Sequence, residues 1–138
     1  MTYNKKTMIK KLAFIYLFCF AALLLSAQKK QNQPTESIIF KALVYDYGNI
    51  EIGSPGNSVF RFTNTMKKSL VINSVIPSCG CTAANWTKKP ILPGKTGVIT
   101  LHYNTKIPGT FNKTITVRSN AKNGTVILRI KGNVIRYK

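Results

Sequence analysis

Residues 111–134 read FNKTITVRSNAKNGTVILRIKGNV, and they are the clearest indication of the fold class. Apolar residues alternate with polar ones, which is the period of a β-strand with one buried face. Asn123-Gly124, between the two alternating runs, is a strong signal for a two-residue hairpin turn. The stretch therefore predicts two antiparallel strands that share an apolar face. The side chains expected on that face are Phe111, Ile115, Val117, Val126, Leu128 and Ile130.

Further short runs with the same period precede this hairpin, separated by Gly, Pro and Asn signals. They are residues 38–47, 59–64, 70–76 and 98–103. The segment from Pro77 to Pro93 lacks the alternation and is expected to be irregular. After residue 27, no window has the 3.6-residue apolar period of a helix. About seven strands in roughly 110 residues predict an all-β, immunoglobulin-like antiparallel β-sandwich.

Residues 1–27 have the organisation of a secretory signal peptide. Lysines precede an apolar run from Leu12 to Leu25, and Ser26-Ala27 provides a small residue for cleavage. The run has 14 residues, whereas a membrane-spanning helix needs roughly 20. We therefore expect a signal-peptide helix and export to the periplasm or cell surface, with a membrane anchor at residues 12–25 as the alternative. Residues 28–36 are expected to be a flexible lead-in, and residues 37–138 the folded domain.

The composition excludes several classes of enzyme. The chain carries 21 Lys and Arg against three acidic residues, which gives a formal charge of +18. Glu36, Asp46 and Glu51 are the only carboxylates, and His102 is the only imidazole. With so few of these groups, we do not expect paired-carboxylate hydrolysis, a Ser-His-Asp triad or a carboxylate calcium site. We therefore expect no enzymatic activity and no cofactor.

The positive charge is spread singly over the predicted strands and turns. One interpretation is a solvated face whose lysines discourage edge-to-edge aggregation. The other is attraction to an anionic envelope polymer or to lipid headgroups. Nucleic acid is not an expected partner, because the chain is exported and lacks an aromatic stacking platform. We expect another envelope protein or an anionic envelope polymer, and membrane contact only through an uncleaved leader.

Cys79-Gly80-Cys81 is the one motif with chemical content. Side chains two residues apart on an extended chain share a face, and the glycine lets the two Cα atoms approach the roughly 4.4–6.8 Å of a disulfide. A ring this small contributes about 1.6 kcal/mol at most through chain entropy. Four interpretations stay open for Cys79 and Cys81: an inert pair, a redox or intermolecular thiol pair, a soft-metal site for Cu(I), and a catalytic thiol.

The segment from Cys79 to Trp86 is also a candidate interaction loop, with Thr82 and Trp86 as its contact residues. For Trp86 the core is nevertheless favoured over a binding role, since most tyrosines and phenylalanines of this chain fall on inward positions. His102 falls on the outward phase of its strand, so we expect it to be exposed.

The chain resembles a bacterial exported family known as domain of unknown function 1573, from about Tyr45 to Val134. The resemblance rests on Cys79-Gly80-Cys81-Thr82 and on Pro90-Ile91-x-Pro93-Gly94. The strand motifs that also match are Phe60-x-Phe62-x-Asn64, Leu70-x-Ile72, Gly109-x-Phe111-x-Lys113-x-Ile115-x-Val117-x-Ser119-Asn120 and Leu128-x-Ile130-x-Gly132. Where the family tends to have Phe-x-Phe-Gly, this chain has Tyr45-Asp46-Tyr47-Gly48. The resemblance implies export and an immunoglobulin-like fold, and it supplies no activity.

These observations predict a non-enzymatic interaction or structural module of the cell envelope. A distant similarity to the sandwich domains of pilus chaperones implies partner binding through a sheet edge. The competing hypothesis is a thiol-redox or Cu(I)-handling protein that uses Cys79 and Cys81.

Overall fold

The computed structural model describes Lys10 and residues 37–136. The chain divides into two units, residues 1–33 and 34–138, and the strands below belong to the second. Apart from Lys10, the predicted leader and lead-in lie outside the described residues. Within the described part of the chain, no helix has the length and apolar character needed to cross a bilayer.

Residues 37–136 contain strands and no helix. The strands are β1 (Ile38–Phe40), β2 (Val44–Glu51), β3 (Asn57–Asn64), β4 (Ile72–Pro77), β5 (Thr82–Trp86), β6 (Thr96–Tyr103), β7 (Gly109–Ser119) and β8 (Thr125–Ile135). Sheet A has the order β1-β3-β6-β5, and sheet B has the order β2-β8-β7-β4. The all-β prediction is therefore confirmed, with eight strands in place of about seven.

The additional strands arise where the sequence signals were weakest. The run expected over residues 38–47 divides into β1 and β2, because the chain leaves sheet A after Lys41 and joins sheet B at Val44. The segment 77–93, expected to be irregular, contains β5. Thr82, Ala83 and Ala84 are small residues without an apolar alternation, so pairing with β6 rather than local pattern makes this segment a strand.

One pair of strands is parallel, which corrects the expectation of a wholly antiparallel sandwich. β2 runs parallel to β8, with Val44 opposite Arg129 and Glu51 opposite Ile135. β1 pairs antiparallel with β3 in sheet A. After the crossing, β2 lies at the edge of sheet B and is parallel to its neighbour β8.

The β7–β8 hairpin forms with a longer connection than Asn123-Gly124 predicts. The strands are joined by residues 120–124, and Ser119 donates its N–H to the carbonyl of Gly124 at 2.7 Å. Asn123 serves a different purpose, since its side chain bonds both the N–H and the C=O of Ile38 at 3.0 and 2.9 Å. The two-residue turn was therefore wrong, and Asn123 holds β1 in place instead.

The core lies between the sheets and contains the side chains that the alternation placed inward. Tyr103 of β6 stacks on Phe111 of β7, with ring centroids 3.8 Å apart. The amide of Asn64 is fully buried, and it donates to the carbonyls of Lys68 and Ile91, both at 2.8 Å. Each large apolar side chain contributes about 1.5–3 kcal/mol through burial. The largest fully buried ones are Phe62, Leu70, Ile99, Leu101, Ile115, Leu128 and Ile130.

Candidate interaction site

Cys79 and Cys81 lie where the chain passes from β4 in sheet B to β5 in sheet A. The two residues are joined by a disulfide, with their Cα atoms 5.2 Å apart. The ends of this short loop are anchored by backbone hydrogen bonds. Ser78 donates to the carbonyl of Thr114 at 2.9 Å, and Asn104 donates to the carbonyl of Cys81 at 2.8 Å. The cysteine pair therefore closes the crossing between the two edge strands.

Both cysteines are half-buried, and Cys81 packs against the core. Thr82 is buried, and its hydroxyl lies 3.8 Å from Sγ of Cys79 and 4.0 Å from Sγ of Cys81. Thr82 thus faces the sulfurs rather than solvent. Within the described residues, no cluster of three or more His, Cys, Asp or Glu side chains could hold a metal ion. The thiol-redox and Cu(I) hypothesis for this pair stays a prediction.

Trp86, at the end of β5, is half-buried and packs against the core. The ammonium group of Lys88 lies 2.8 Å from the centroid of its ring. The indole Nε1 is buried and has no hydrogen-bond partner among the described residues. Trp86 is therefore mainly a packing residue, with one ring face covered by a lysine.

His102 is exposed on the outer face of sheet A, as its phase predicts. Its Nδ1 lies 2.9 Å from Oδ1 of Asn57 on the neighbouring strand. The two cysteines lie instead in the β4–β5 crossing. His102 therefore has a cross-strand partner of its own on an exposed sheet face.

The backbone groups of β3 alternate between two sides of the strand. Tyr103 donates its N–H to the carbonyl of Gly56 at 2.8 Å, and Asn64 donates to the carbonyl of Lys95 at 2.9 Å. Because hydrogen bonds alternate along an antiparallel pair, these bonds place the groups of the even-numbered residues on the β6 side. The N–H and C=O groups of Asn57, Val59 and the other odd-numbered residues therefore point away from β6.

β1 covers only half of that outward side. Lys41 donates its N–H to the carbonyl of Arg61 at 2.9 Å, and the chain then crosses to sheet B, where the carbonyl of Leu43 accepts from Arg129 at 2.8 Å. Beyond this point, in the described part of the chain, no strand lies on the outward side of Asn57–Val59, opposite β6. The outward backbone groups of these residues form an open edge of three residues, which we call the β3 open edge.

Exposed apolar side chains surround the β3 open edge. Val59 is 46% exposed, Leu43 50% and Val44 47%. A groove of about 210 Å³ lies between the crossing segment and β3. Lys41 and Arg61 line one end of it. The edge is thus bordered by apolar surface and by two cations.

Two tyrosines of β2 close the gap between the sheets beneath the β3 open edge. The Tyr45 ring lies 4.7 Å from that of Tyr47 and 6.4 Å from that of Phe60. The Tyr47 hydroxyl donates to the carbonyl of Gly56 at 2.7 Å. Burial raises the pKa of Tyr47 above its usual value. A segment at the edge would therefore rest on a rigid aromatic surface.

The family model described as "Protein of unknown function (DUF1573)" matches residues 38–134. The chain belongs to this family. A comparison with curated proteins finds no match.

Among solved structures, this DUF1573 domain resembles a protein of unknown function from Porphyromonas gingivalis, with a TM-score of 0.63, 12% identity, and coverage of 78% of this chain and 51% of that one. It also resembles a PapD-like domain of human CEP192, with a TM-score of 0.59, 10% identity, and coverage of 80% and 94%. A third similar structure is the VesB protease of Vibrio cholerae, with a TM-score of 0.60 and 13% identity. The match covers 71% of this chain and 32% of the protease.

The chain thus spans only part of these proteins: 51% of the Porphyromonas protein and 32% of VesB. At these identities the likeness concerns the fold alone, and it confirms the predicted immunoglobulin-like sandwich in its PapD-like form.

The sequence of this DUF1573 domain did not reveal the β3 open edge. Its alternation gave the faces of β3 correctly, with Phe60 and Phe62 inward and Arg61 outward. Val59 was the available signal, because an apolar side chain at an outward position of a strand marks an exposed apolar spot. The length of β1 could not be read locally, since it depends on where the chain leaves sheet A.

Proposed function

We propose that this protein is a non-enzymatic interaction module of the cell envelope, which binds an extended segment of a partner protein at the β3 open edge. The observation that carries the proposal is the pair of outward backbone groups on Val59, beside exposed Leu43 and Val44. Strand addition to a sheet edge uses main-chain hydrogen bonds for affinity and side-chain pockets for specificity. The absence of enzymatic activity is inferred from the small set of acid–base groups, three carboxylates and one histidine.

The direction of the partner segment follows from β1. That strand runs antiparallel to β3 and ends beside Arg61. A segment that continues the same line would pair its backbone first with Val59 and then with Asn57. Its outward side chains would lie beside Val59, so we expect apolar residues there.

The charges at the groove define the other feature of the partner. Lys41 and Arg61 lie where the bound segment would begin, and the groove lining contains no carboxylate among the described residues. Opposite charges across a sheet stabilise pairing, whereas like charges oppose it. We therefore expect acidic residues at the amino-terminal end of the segment.

Binding of a designed peptide tests the proposal directly. The probe is a fluorescent peptide with two glutamates followed by alternating valine and threonine, and its control replaces the glutamates by lysines. We expect the acidic peptide to bind more tightly and to protect the amides of Val59 and Asn57 from hydrogen exchange. Protection of β5 amides instead, or equal binding of both peptides, would contradict the proposal.

Val59→Pro provides the matched variant. The Val59 N–H points away from β6, so proline removes an outward donor and leaves the β3–β6 hydrogen bonds intact. We expect the affinity of this variant for the peptide to fall by about tenfold or more, because one hydrogen bond is lost and the bonds beside it are weakened. Val59→Thr keeps the N–H and should bind nearly as well as the wild type, and circular dichroism checks the fold of both.

Export is tested separately from binding. Cleavage after Ala27 would give a mature chain that begins at Gln28 and carries four fewer lysines. Cell fractionation followed by intact-mass measurement should find that species in the envelope fraction. A full-length chain in the membrane fraction would support the alternative anchor at residues 12–25.

A further inference from the structure

A bulge in β2 brings two polar side chains onto the outer face of sheet B. Asp46 lies opposite Lys131 and Asn49 opposite Asn133, so three steps along β2 match two along β8. In a regular strand, positions 46 and 49 would point to opposite faces. Gly48 absorbs the extra residue with a φ of 62°, in the left-handed region. The bulge thus places Asp46 and Asn49 side by side.

A shallow groove of about 390 Å³ lies over the bulge. Residues of β2, β7 and β8 line it, Gly132 and Phe111 among them. A Cβ at Gly132 would lie 2.9 Å from the ring of Phe111, a core residue, so glycine lets β8 pack closely on the core beneath the groove. The polar side chains of the lining are Asp46, Asn49, Thr110, Asn112, Lys131 and Asn133.

The acceptor oxygens of the groove are engaged within it. Asn133 donates to Oδ1 of Asn49 at 3.3 Å, and Thr110 donates to Oδ1 of Asn133 at 3.4 Å. Arg129 donates to Oδ1 of Asn112 at 3.0 Å. The Nδ2 groups of Asn49 and Asn112 have no acceptor among the described residues. The groove therefore offers hydrogen-bond donors and few acceptors.

The charges of the groove point the same way. Lys131 lies 3.1 Å from Asp46, and the other carboxylate oxygen of Asp46 accepts from Gly48 at 2.8 Å. Asp46 is thus held by the backbone and by one cation. Arg129 adds a second cation beside Asn112, so the positive charges outnumber the negative one. A ligand that is anionic and rich in acceptor atoms matches this surface.

We propose that this groove binds the phosphate groups of a phosphodiester polymer, with Asn49, Asn112 and Lys131 as the donors. These donors come from β2, β7 and β8 respectively, so they approach a ligand from different sides. A phosphodiester presents two unesterified and two ester oxygens around a tetrahedral phosphorus, whereas a carboxylate presents its two oxygens in one plane. The site is separate from the β3 open edge and does not depend on the function proposed there.

Calorimetric titration with poly(glycerol phosphate) tests the site, with poly-L-glutamate as the carboxylate counterpart. The decisive variant is Asn49→Ala/Asn112→Ala, which leaves the net charge unchanged. We expect about tenfold weaker binding from the loss of two charge-assisted hydrogen bonds. Asn73→Ala, at an exposed position of β4, should bind like the wild type. Lys131→Gln should weaken binding more than Lys67→Gln, a turn lysine with the same formal charge.

General attraction to a basic protein gives a different result. In that case the double asparagine variant would bind like Asn73→Ala, and both lysine variants would lose the same small amount, which would overturn the proposal. Equal affinity for poly-L-glutamate would overturn the assignment to phosphate. If the double variant does not fold, the side-chain amide signals of Asn49 and Asn112 in the wild type decide by NMR. Their failure to shift on titration would also reject the site.

Discussion

The hydroxyl of Tyr47 in sheet B donates to the carbonyl of Gly56 in the segment that leads into β3 of sheet A, at 2.7 Å. The same carbonyl accepts the N–H of Tyr103 at 2.8 Å. A Cβ at position 56 would overlap the carbonyl oxygen of Tyr103, so glycine is required for this approach. One carbonyl therefore joins both sheets at the point where β3 begins and its outward edge is open.

Tyr47→Phe removes the link between the sheets while it keeps the ring. The Gly56 carbonyl retains its bond from Tyr103, so no acceptor is left unsatisfied. We expect the free energy of unfolding to fall by about 1 kcal/mol, the net value of one hydrogen bond. Urea denaturation measures this loss. Tyr45→Phe is the control, because Tyr45 is exposed and should change stability little.

Alkaline pH should destabilise the domain. Burial raises the pKa values of Tyr47 and Tyr103 above the usual value of 10.0. In the unfolded chain these phenols ionise at lower pH than in the folded domain. As the pH rises, ionisation therefore stabilises the unfolded state before it stabilises the folded one. The contribution of these two tyrosines to stability should be constant below about pH 9 and fall from about pH 10 upward. The decline should be shallower in Tyr47→Phe, and an equal slope would contradict the assignment.

Amide hydrogen exchange should alternate along β3. The N–H groups of Ser58 and Phe60 bond to β6, whereas those of Asn57 and Val59 face the open edge. We expect the amides of Asn57 and Val59 to exchange much faster, because they are open to water. The amides of Ser58 and Phe60 exchange only when β3 separates from β6. NMR-detected exchange on the full domain gives the rates. Slow exchange at Val59 would mean that another segment already covers the edge.

The sequence predicts the structure correctly for strands whose own alternation of apolar and polar residues fixes the buried face. Phe111, Ile115 and Val117 lie inward as their alternation predicts, because a one-residue slip would expose all of them. The parallel β2–β8 pair, the strand β5 and the bulge at Gly48 depend on partners far along the chain. Neither the β3 open edge nor the groove of sheet B could be predicted, since both arise from where β1 ends and how β2 pairs.

Trp86→Phe should cost little stability although it alters the largest side chain of β5. The substitution removes the indole N–H, whose burial without a partner costs about 1–3 kcal/mol, and also some packing area. These effects oppose each other, so we expect a change within about 1 kcal/mol. Trp86→Ala should lower stability by about 2 kcal/mol or more, since it leaves a void in a half-buried site. Similar losses in both variants would show that the N–H has a partner.

Replacement of both cysteines separates the structural role of the disulfide from a chemical one. Cys79→Ser/Cys81→Ser opens a ring of three residues, for which chain entropy predicts a loss of about 1.6 kcal/mol at most. The anchoring bonds from Ser78 to Thr114 and from Asn104 to Cys81 involve backbone atoms and should survive. We therefore expect a folded domain that still binds the acidic peptide designed for the β3 open edge.

The thiol hypothesis is tested by titration of the wild type with Cu(I) and with glutathione, before and after reduction of the disulfide. Copper binding or thiol exchange that the double variant lacks would establish that role, whereas a purely structural bridge predicts equal behaviour of both proteins toward copper.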